Sequence, residues 1–157
     1  MVHTEQLDDL RFLGGVFAEI EQQFNDADYT QLLAQTILDL EEEHDKYFVN
    51  EHSPAGVAWP PLAPSTVKKK GHDSILWETG AMMDSLISTT SDSIREVVSE
   101  PPNHSLSFGT SDEKSPIHQF GAGRIPQREH VGVNEPFCDQ LAEKTADATV
   151  ALLMPKI

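Results

Sequence analysis

The chain has 157 residues, of which 38% are hydrophobic, so it is long enough for one domain with a core and too short for two comfortable ones. Its net charge of −15 resides mainly in residues 1–51, where 13 acidic and two basic side chains give −11, and such a surface repels nucleic-acid phosphates. A single cysteine excludes a disulfide framework and a cysteine-rich zinc site. The sequence has no apolar run of about 18 residues that could span a membrane and no signal-peptide pattern, so we expect a soluble intracellular protein.

The first predicted helix runs from Thr4 to Phe24, because apolar residues recur there at alternating steps of three and four. Gly14 and Gly15 interrupt this pattern at a cost of about 1 kcal/mol each relative to alanine, so we expect a bend or a close packing contact there. The residues of the apolar stripe are Leu7, Leu10, Leu13, Phe17, Ile20 and Phe24.

A second helix is predicted after the break at residues 25–28, where Asp28 and Gln31 have the spacing of a capping box. We expect the acidic residues between Asp39 and Asp45 to lie mostly on its outer, solvated face. Its apolar stripe comprises Tyr29, Leu33, Thr36, Ile37, Leu40, His44, Tyr47 and Phe48. Because His44 falls on this stripe, we interpret it as a packed histidine rather than a metal ligand.

A proline-rich segment at about 51–66 follows, and its prolines exclude both a helix and a central strand. It is predicted to be an ordered loop or an extended arm. Trp59 stands before Pro60 and Pro61, and it is either an aromatic anchor for a partner protein or a plug in the core of its own domain.

Two short helices are predicted next. Ser65 and Thr66 can cap one that runs through Lys70 and ends at Gly71, and Thr79 can cap another with an apolar face of Met82, Met83, Leu86 and Ile87. The three successive lysines 68–70 are the only basic cluster. They form either a solvated turn or a patch that meets an acidic surface or a phosphate, such as residues 41–45 of a second copy.

Short β-rich runs at Ser93–Val98 and Ser105–Gly109 predict an antiparallel hairpin, with Leu106 and Phe108 facing the core. A final helix should open with Pro136 and carry Phe137, Leu141, Thr145, Ala148 and Leu152 on one side. We expect Cys138 on this helix to be a small buried side chain. The prediction is therefore an α+β fold in one domain over residues 1–157: two N-terminal helices, a proline-rich arm, a short helix, a small antiparallel sheet and a C-terminal helix.

The sequence favours no catalytic chemistry. It contains no Gly-x-Ser-x-Gly, Ser-x-x-Lys or phosphate-binding glycine loop, and its histidines lack the helical spacing of zinc ligands, so we expect no catalytic residue, no metal and no cofactor. Two alternatives remain open. One is a small metal-dependent hydrolase that uses His44, His52, His72 or His118, and the other is an acidic regulatory or DNA-mimicking protein.

A collinear series of motifs resembles the phage virion morphogenesis family, whose members are tail-completion proteins similar in role to head–tail joining proteins. The series is Ser53-Pro54-x-Gly56-x-x-Trp59-x-x-Leu62, Ile75-Leu76-x-x-Thr79-Gly80-x-Met82-x-x-Ser85-Leu86, Ile117-His118-Gln119-Phe120-Gly121 and Ile125-Pro126-x-Arg128. It covers roughly residues 30–150. The chain departs from the family pattern at Lys114-Ser115-Pro116 and at Glu129-His130-Val131. In the third motif we expect Phe120 to be buried and Gly121 to cap a short helix.

The resemblance implies a non-enzymatic structural protein of a phage or prophage. Its implied partners are other phage structural proteins of the tail or head–tail connector and further copies of itself, without membrane or direct nucleic-acid contacts. It would occur in the host cytoplasm during assembly and then in the virion. Arg128 would pair with an acidic neighbour inside the fold or with a partner's carboxylate. The predicted partner-binding residues are Trp59, Pro60, Pro61, Lys68, Lys69, Lys70 and Arg128.

Overall fold

A computed structural model describes the backbone of residues 2–154 and the side chains of residue 12 and residues 14–154. Within this part of the chain, six helices and one two-stranded antiparallel sheet confirm the predicted α+β class. The elements are α1 Val2–Asp26, α2 Thr30–Asn50, α3 Pro64–Lys70, α4 Ala81–Ile87, β1 Ser93–Glu100, β2 Asn103–Thr110, α5 Ser115–Phe120 and α6 Glu135–Leu153. None of the helices in residues 2–154 combines the length and apolar character needed to cross a membrane.

Helix α1 continues without a break through Gly14 and Gly15. A Cβ atom at either glycine would have no heavy atom within 4 Å, so the expectation of close packing there is wrong. The stripe residues Phe17, Ile20 and Phe24 are 67%, 47% and 46% exposed, and thus face solvent in the isolated chain. The side chains of the other three stripe residues, 7, 10 and 13, lie outside the described ones.

Helix α2 is the centre of the fold, because it packs against α4, α6 and both strands. It begins at Thr30 after the N-cap residue Tyr29, which has no side-chain cap, so the predicted capping box of Asp28 and Gln31 is wrong. Asp28 instead accepts a hydrogen bond from the Thr30 N–H at 2.9 Å, just before the helix. The predicted apolar stripe is confirmed, since it includes the buried residues Thr36, Leu40, His44, Tyr47 and Phe48.

Two acidic side chains of α2 point into the protein, so the prediction of a mostly solvated acidic face is wrong for them. Glu43 is 9% exposed, and its carboxylate accepts hydrogen bonds from Tyr47 at 3.2 Å and from Asn134 at 2.8 Å. Glu41 accepts a hydrogen bond from the guanidinium of Arg95 in β1 at 3.0 Å. These donors replace water around the carboxylates, which is the condition for burying them.

The proline-rich segment folds back on its own domain as an ordered loop, so the alternative of an extended arm is wrong. The Ser53 N–H donates to the Val57 carbonyl and the Trp59 N–H to the Glu51 carbonyl, both at 2.8 Å. Helix α3 already begins at Pro64, inside the predicted arm. These backbone bonds explain why a segment with four prolines has one ordered conformation.

Helix α3 starts at Pro64, at least two residues before the start that a cap at Ser65 or Thr66 would give. The residue before it, Ala63, has no side-chain acceptor, so the predicted cap by Ser65 and Thr66 is wrong. Pro64 opens the helix instead, because its fixed φ suits a first turn and it has no N–H to satisfy. The predicted end at Gly71 is confirmed, with φ of 82° in the left-handed region that favours glycine.

Helix α4 begins at Ala81, after the positive-φ residue Gly80. The hydroxyl of Thr79 accepts a hydrogen bond from the Ala81 N–H at 3.4 Å, so Thr79 lies one residue before the capping position that was predicted for it. Met82 and Leu86 are buried as expected. The helix therefore contributes its predicted apolar face to the core.

Strands β1 and β2 pair from Ser93 opposite Thr110 to Glu100 opposite Asn103. Both strands are longer than predicted, because residues 101 and 102 alone make the turn. Leu106 and Phe108 lie on the half-buried face while their serine neighbours are exposed, which confirms the predicted orientation.

Two burial predictions near the C-terminus are wrong. Phe120 is 74% exposed, because Gln119 and not Phe120 faces the loop that follows α5. Cys138 is exposed, because it lies on an open groove beside α1 rather than on the face of α6 that carries the buried Phe137. Asn134 caps α6 by accepting a hydrogen bond from the Phe137 N–H at 2.8 Å.

The core lies between α2, α4 and the loops that join them. Its buried cluster consists of Tyr47, Phe48, Trp59, Ile75, Met82 and Leu86, with Phe108 of β2 and Val131 packed at its edge. Among the described side chains this cluster includes none from α1. The first helix is thus attached to the fold rather than built into its core.

Candidate functional site

A cleft of about 490 Å³ opens between α3, the start of α4 and α5. Its permanently charged lining consists of four cations and two carboxylates: Lys69, Lys70, Lys114, Arg128, Glu78 and Asp112. In a chain whose net charge is −15, this cleft collects an excess of positive charge. Such an excess attracts acidic ligands, including acidic protein surfaces.

The end of α3 places the lysines at the cleft. Lys69 and Lys70 line it, and the Nζ atom of Lys70 donates to the Ser74 carbonyl at 2.9 Å. Lys68 is exposed but does not line the cleft. Consecutive helical residues point about 100° apart, which accounts for this separation of neighbouring side chains.

His118 of α5 lies in the cleft wall beside these cations. Burial lowers the pKa of its imidazole below the usual value, and the charges of Arg128 and Lys114 lower it further. Its Nδ1 atom is buried and has no hydrogen-bond partner among the described residues.

Arg128 is 4% exposed and forms the floor of the cleft. Its Nε atom donates to the Pro60 carbonyl at 2.9 Å and its Nη2 atom to the Pro61 carbonyl at 3.2 Å. Arg128 therefore acts inside the fold, but on backbone carbonyls, so the predicted acidic neighbour is wrong. Burial lowers the pKa of the guanidinium, which nevertheless keeps its charge.

Trp59 makes the reciprocal contact between the same two segments. Its indole Nε1–H donates to the Glu129 carbonyl at 2.7 Å, and its ring packs edge-on against Phe48 with 5.6 Å between centroids. At 5% exposure Trp59 is part of the core, which is the intramolecular alternative given above. Pro60 and Pro61 remain exposed beside it. We name the contact of residues 59–61 with residues 128–129 the Trp–Arg clamp.

The loop after α5 is held by Gln119, which the sequence analysis quoted in a motif without giving it a role. Its side-chain oxygen accepts hydrogen bonds from the N–H groups of His130 at 2.9 Å and Val131 at 3.0 Å. Its amide nitrogen donates to the Val131 carbonyl at 2.9 Å. Gln119 thus fixes the backbone that carries the adjacent Arg128.

A buried hydrogen bond joins Ser115 to His130. These residues lie in the two segments, 114–116 and 129–131, that were noted above as departures from the resemblance. His130 is fully buried; its Nδ1–H donates to the Arg128 carbonyl, and its Nε2 accepts from the Ser115 hydroxyl, both at 2.9 Å. Burial lowers the pKa of the His130 imidazole to about 4, so the ring is neutral near neutral pH. Ser115 and His130 therefore serve as a matched polar pair.

The histidines named for the hydrolase alternative do not form a metal centre. Among the described side chains, no group of three or more histidine, cysteine, aspartate or glutamate residues is placed to hold a metal ion. His44 is buried and bonded to the Leu40 carbonyl at 2.7 Å, while His52 is bonded to the Ser53 carbonyl at 2.8 Å. Both contacts are structural, so the geometry does not favour this alternative.

Sequence reasoning placed Lys69, Lys70 and Arg128 among the binding residues but missed Lys114, His118, Glu78 and Asp112 as their neighbours. No spacing in the sequence links these groups, because α3, α4 and α5 come together only in the tertiary fold. Chemically, the cleft presents cations and N–H donors. It is suited to bind an acceptor-rich segment such as an acidic peptide.

Comparison with known protein families finds one match. The model described as the phage virion morphogenesis family matches residues 8–148, which contain nearly all of the elements and both walls of the cleft. Comparisons with curated proteins and with solved structures find no match.

Proposed function

This chain belongs to the phage virion morphogenesis family, and we propose that it completes the tail or joins head and tail by docking on other virion proteins. The observation that carries the proposal is the family match over residues 8–148. In this role the protein acts without catalysis, in the host cytoplasm during assembly and afterwards in the virion. Its chemistry is then that of an interface.

We propose the basic cleft as the docking site and an acidic segment of a tail or head–tail connector protein as its occupant. Lys69, Lys70 and Lys114 supply the attraction for the carboxylates of that segment. The Trp–Arg clamp positions Arg128 in the wall of the cleft, and Pro60 and Pro61 are exposed beside it. Stiff walls lose little entropy on binding, which favours affinity.

We also propose that several copies act together at the junction. Residues 41–45 are a poor target for the lysines of a second copy, because Glu41 and Glu43 are already engaged within the fold. Contact between copies would therefore use surfaces outside the cleft, which the connector segment occupies. Light scattering over a range of protein concentrations tests this, and a monomer at every concentration, alone and with the connector proteins, contradicts it.

Deletion of the gene from the phage that encodes the chain tests the proposed role. We expect separate heads and tails in electron micrographs, loss of infectivity, and rescue by the wild-type gene supplied in trans. Normal joined particles from the deletion phage would contradict the proposal.

Charge reversal in the cleft tests the docking site. Lys69→Glu combined with Lys114→Glu should fail to rescue the deletion phage, because both substitutions place negative charge in the cleft. Lys68→Glu combined with Arg124→Glu is the matched control, since it makes the same total charge change at two exposed side chains outside the cleft and should rescue. Circular dichroism confirms that the variants fold. Rescue by the cleft variant would remove the cleft from the proposal while leaving the assembly role.

A further inference from the structure

An apolar groove runs between α1 and α6 on the side of the molecule that the proposed function does not use. It is lined by Phe24 of α1 and, from α6, by Leu141, Ala142, Ala146 and Val150, with little polar surface. Its volume is about 730 Å³, which is enough for a row of large side chains. In the described chain nothing fills it.

The exposed apolar surface continues from this groove along both helices. Phe17 and Ile20 of α1 are 67% and 47% exposed, and Val150 and Leu152 of α6 are 53% and 46% exposed. Phe17, Ile20 and Phe24 recur at helical spacing on one stripe of α1, and an exposed apolar stripe beside an apolar groove is typical of an interaction site. We name this surface, formed by the groove and these four residues, the α1–α6 face.

The spacing along α1 fits a helical occupant. Apolar residues at 10, 13, 17, 20 and 24 alternate steps of three and four, which gives the period of 3.5 residues typical of a seam between helices. A helix laid along this seam would place its own apolar residues between Phe17, Ile20 and Phe24.

The net charges of α1 and α6 indicate which kind of helix would bind along this seam. Residues 2–26 carry six acidic and one basic side chain, and residues 135–153 carry four acidic and one basic, so the helices have net charges of −5 and −3. Pairing two copies through this face would bring like charges together around the contact. A helix with lysine or arginine beside its apolar residues would be attracted instead.

From these observations we infer that the α1–α6 face binds an amphipathic helix with basic residues along the edges of its apolar side, supplied by a different protein. The apolar residues fill the groove, and the basic residues meet the carboxylates on the flanks of the two helices. Binding is therefore expected to weaken both when the apolar anchors are removed and when salt screens the charges.

The test uses the full chain and two labelled synthetic helices of the same apolar pattern, one of leucine and lysine and one of leucine and glutamate. Fluorescence anisotropy measures their binding. We expect the lysine peptide to bind at least about tenfold more tightly than the glutamate peptide. The variant Phe17→Ser with Ile20→Ser should weaken lysine-peptide binding by about tenfold or more while keeping every charge.

Val49→Ser with Val57→Ser is the matched control, because it removes two side chains that are 70% and 66% exposed away from this face. It should change binding by less than about twofold. Equal binding of the two peptides, or unchanged binding by the Phe17/Ile20 variant, overturns the inference. So does sedimentation that shows a wild-type dimer and a monomeric Phe17/Ile20 variant, because a second copy then covers the face.

Discussion

Individual buried side chains decide how this protein tolerates acid and how its loops are held. Both ring nitrogens of His44 and of His130 form hydrogen bonds inside the protein. The Trp–Arg clamp supplies hydrogen-bond donors to three backbone carbonyl oxygens, those of Glu129, Pro60 and Pro61. Because these polar groups lose their bound water on folding, each must either form a hydrogen bond within the protein or be uncharged. Substitutions at these positions therefore have larger effects than substitutions on the surface.

We expect the free energy of unfolding to fall as the pH is lowered from about 6.5 to about 4. Burial lowers the pKa of His130 to about 4, whereas an unfolded histidine titrates near about 6.5, so between these values only the unfolded chain takes up the proton. The loss is up to about 1.4 kcal/mol per pH unit for this residue. His44, whose pKa burial also lowers, acts in the same direction. Urea unfolding across this pH range measures the effect.

The variant His130→Gln isolates the histidine from the carboxylates that titrate in the same range. It should be less stable than the parent near neutral pH but have a shallower dependence on pH. An unchanged pH dependence in His130→Gln would contradict the assignment.

Removal of one side of the Trp–Arg clamp should destabilise the protein. Arg128→Ala leaves the Pro60 and Pro61 carbonyls without their donors, and we expect a loss of about 1–3 kcal/mol in the free energy of unfolding. Trp59→Phe removes the indole N–H together with the five-membered ring and leaves a cavity in the core, so it should lose about 1–3 kcal/mol. Urea unfolding measures both variants.

The exposed neighbour Arg124 provides the control for the clamp, and Arg124→Ala should change stability by less than about 0.5 kcal/mol. Because both clamp contacts join the same two segments, the double variant Trp59→Phe with Arg128→Ala should lose less than the sum of the single variants. Strict additivity would mean that the two contacts act independently.

At the scale of elements, α2, α4 and the hairpin were predictable because each carries its own periodic signal. The stripe of α2 ends in Tyr47 and Phe48, and the alternation around Phe108 sets the inner face of β2. The stripe of α1 is equally regular, yet its described residues Phe17, Ile20 and Phe24 are exposed. Periodicity identifies an apolar face but carries no information about what covers it.

Alanine at Gly14 and Gly15 should stabilise α1. A Cβ atom there meets nothing within 4 Å, so the substitutions gain helix propensity of up to about 1 kcal/mol each without a clash. Circular dichroism should show more helix and a higher melting temperature. Gly121→Ala is the contrasting control: at φ of 73° its Cβ would lie 3.0 Å from the Gln127 nitrogen, so it should destabilise. Lower helicity in the Gly14→Ala, Gly15→Ala variant would contradict this prediction.

At the scale of the whole molecule, the fold separates a basic cleft from an acidic surface. The sequence revealed the acidic N-terminal third and the three lysines, but not the cleft, because Lys114 and His118 join Lys69 and Lys70 only through the packing of α3 against α5. It also could not show that Glu41 and Glu43 turn inward, since their donors Arg95 and Asn134 come from distant parts of the chain. Local patterns predicted the elements, and long-range contacts determined the site.

The excess of 26 acidic over 11 basic side chains should make the protein more stable as salt is added. Between about 0.01 M and about 0.15 M sodium chloride we expect a gain on the order of 1 kcal/mol in the free energy of unfolding, because screening relieves repulsion. Urea unfolding measures it, and potassium chloride at equal ionic strength controls for specific ions. A loss of stability would mean that ion pairs such as Glu41–Arg95 outweigh the repulsion.

The Trp–Arg clamp also bears on how the protein is made. The ribosome synthesises a chain from its N-terminus, so Trp59 and Pro60 emerge long before Arg128 and Glu129 have been translated. Until then the indole N–H of Trp59 has no Glu129 carbonyl to accept its hydrogen bond, and residues 128–129 do not yet pack beside the contact between Phe48 and Trp59. The clamp therefore closes only after Arg128 and Glu129 have been translated, and a nascent chain that ends before Arg128 cannot form it.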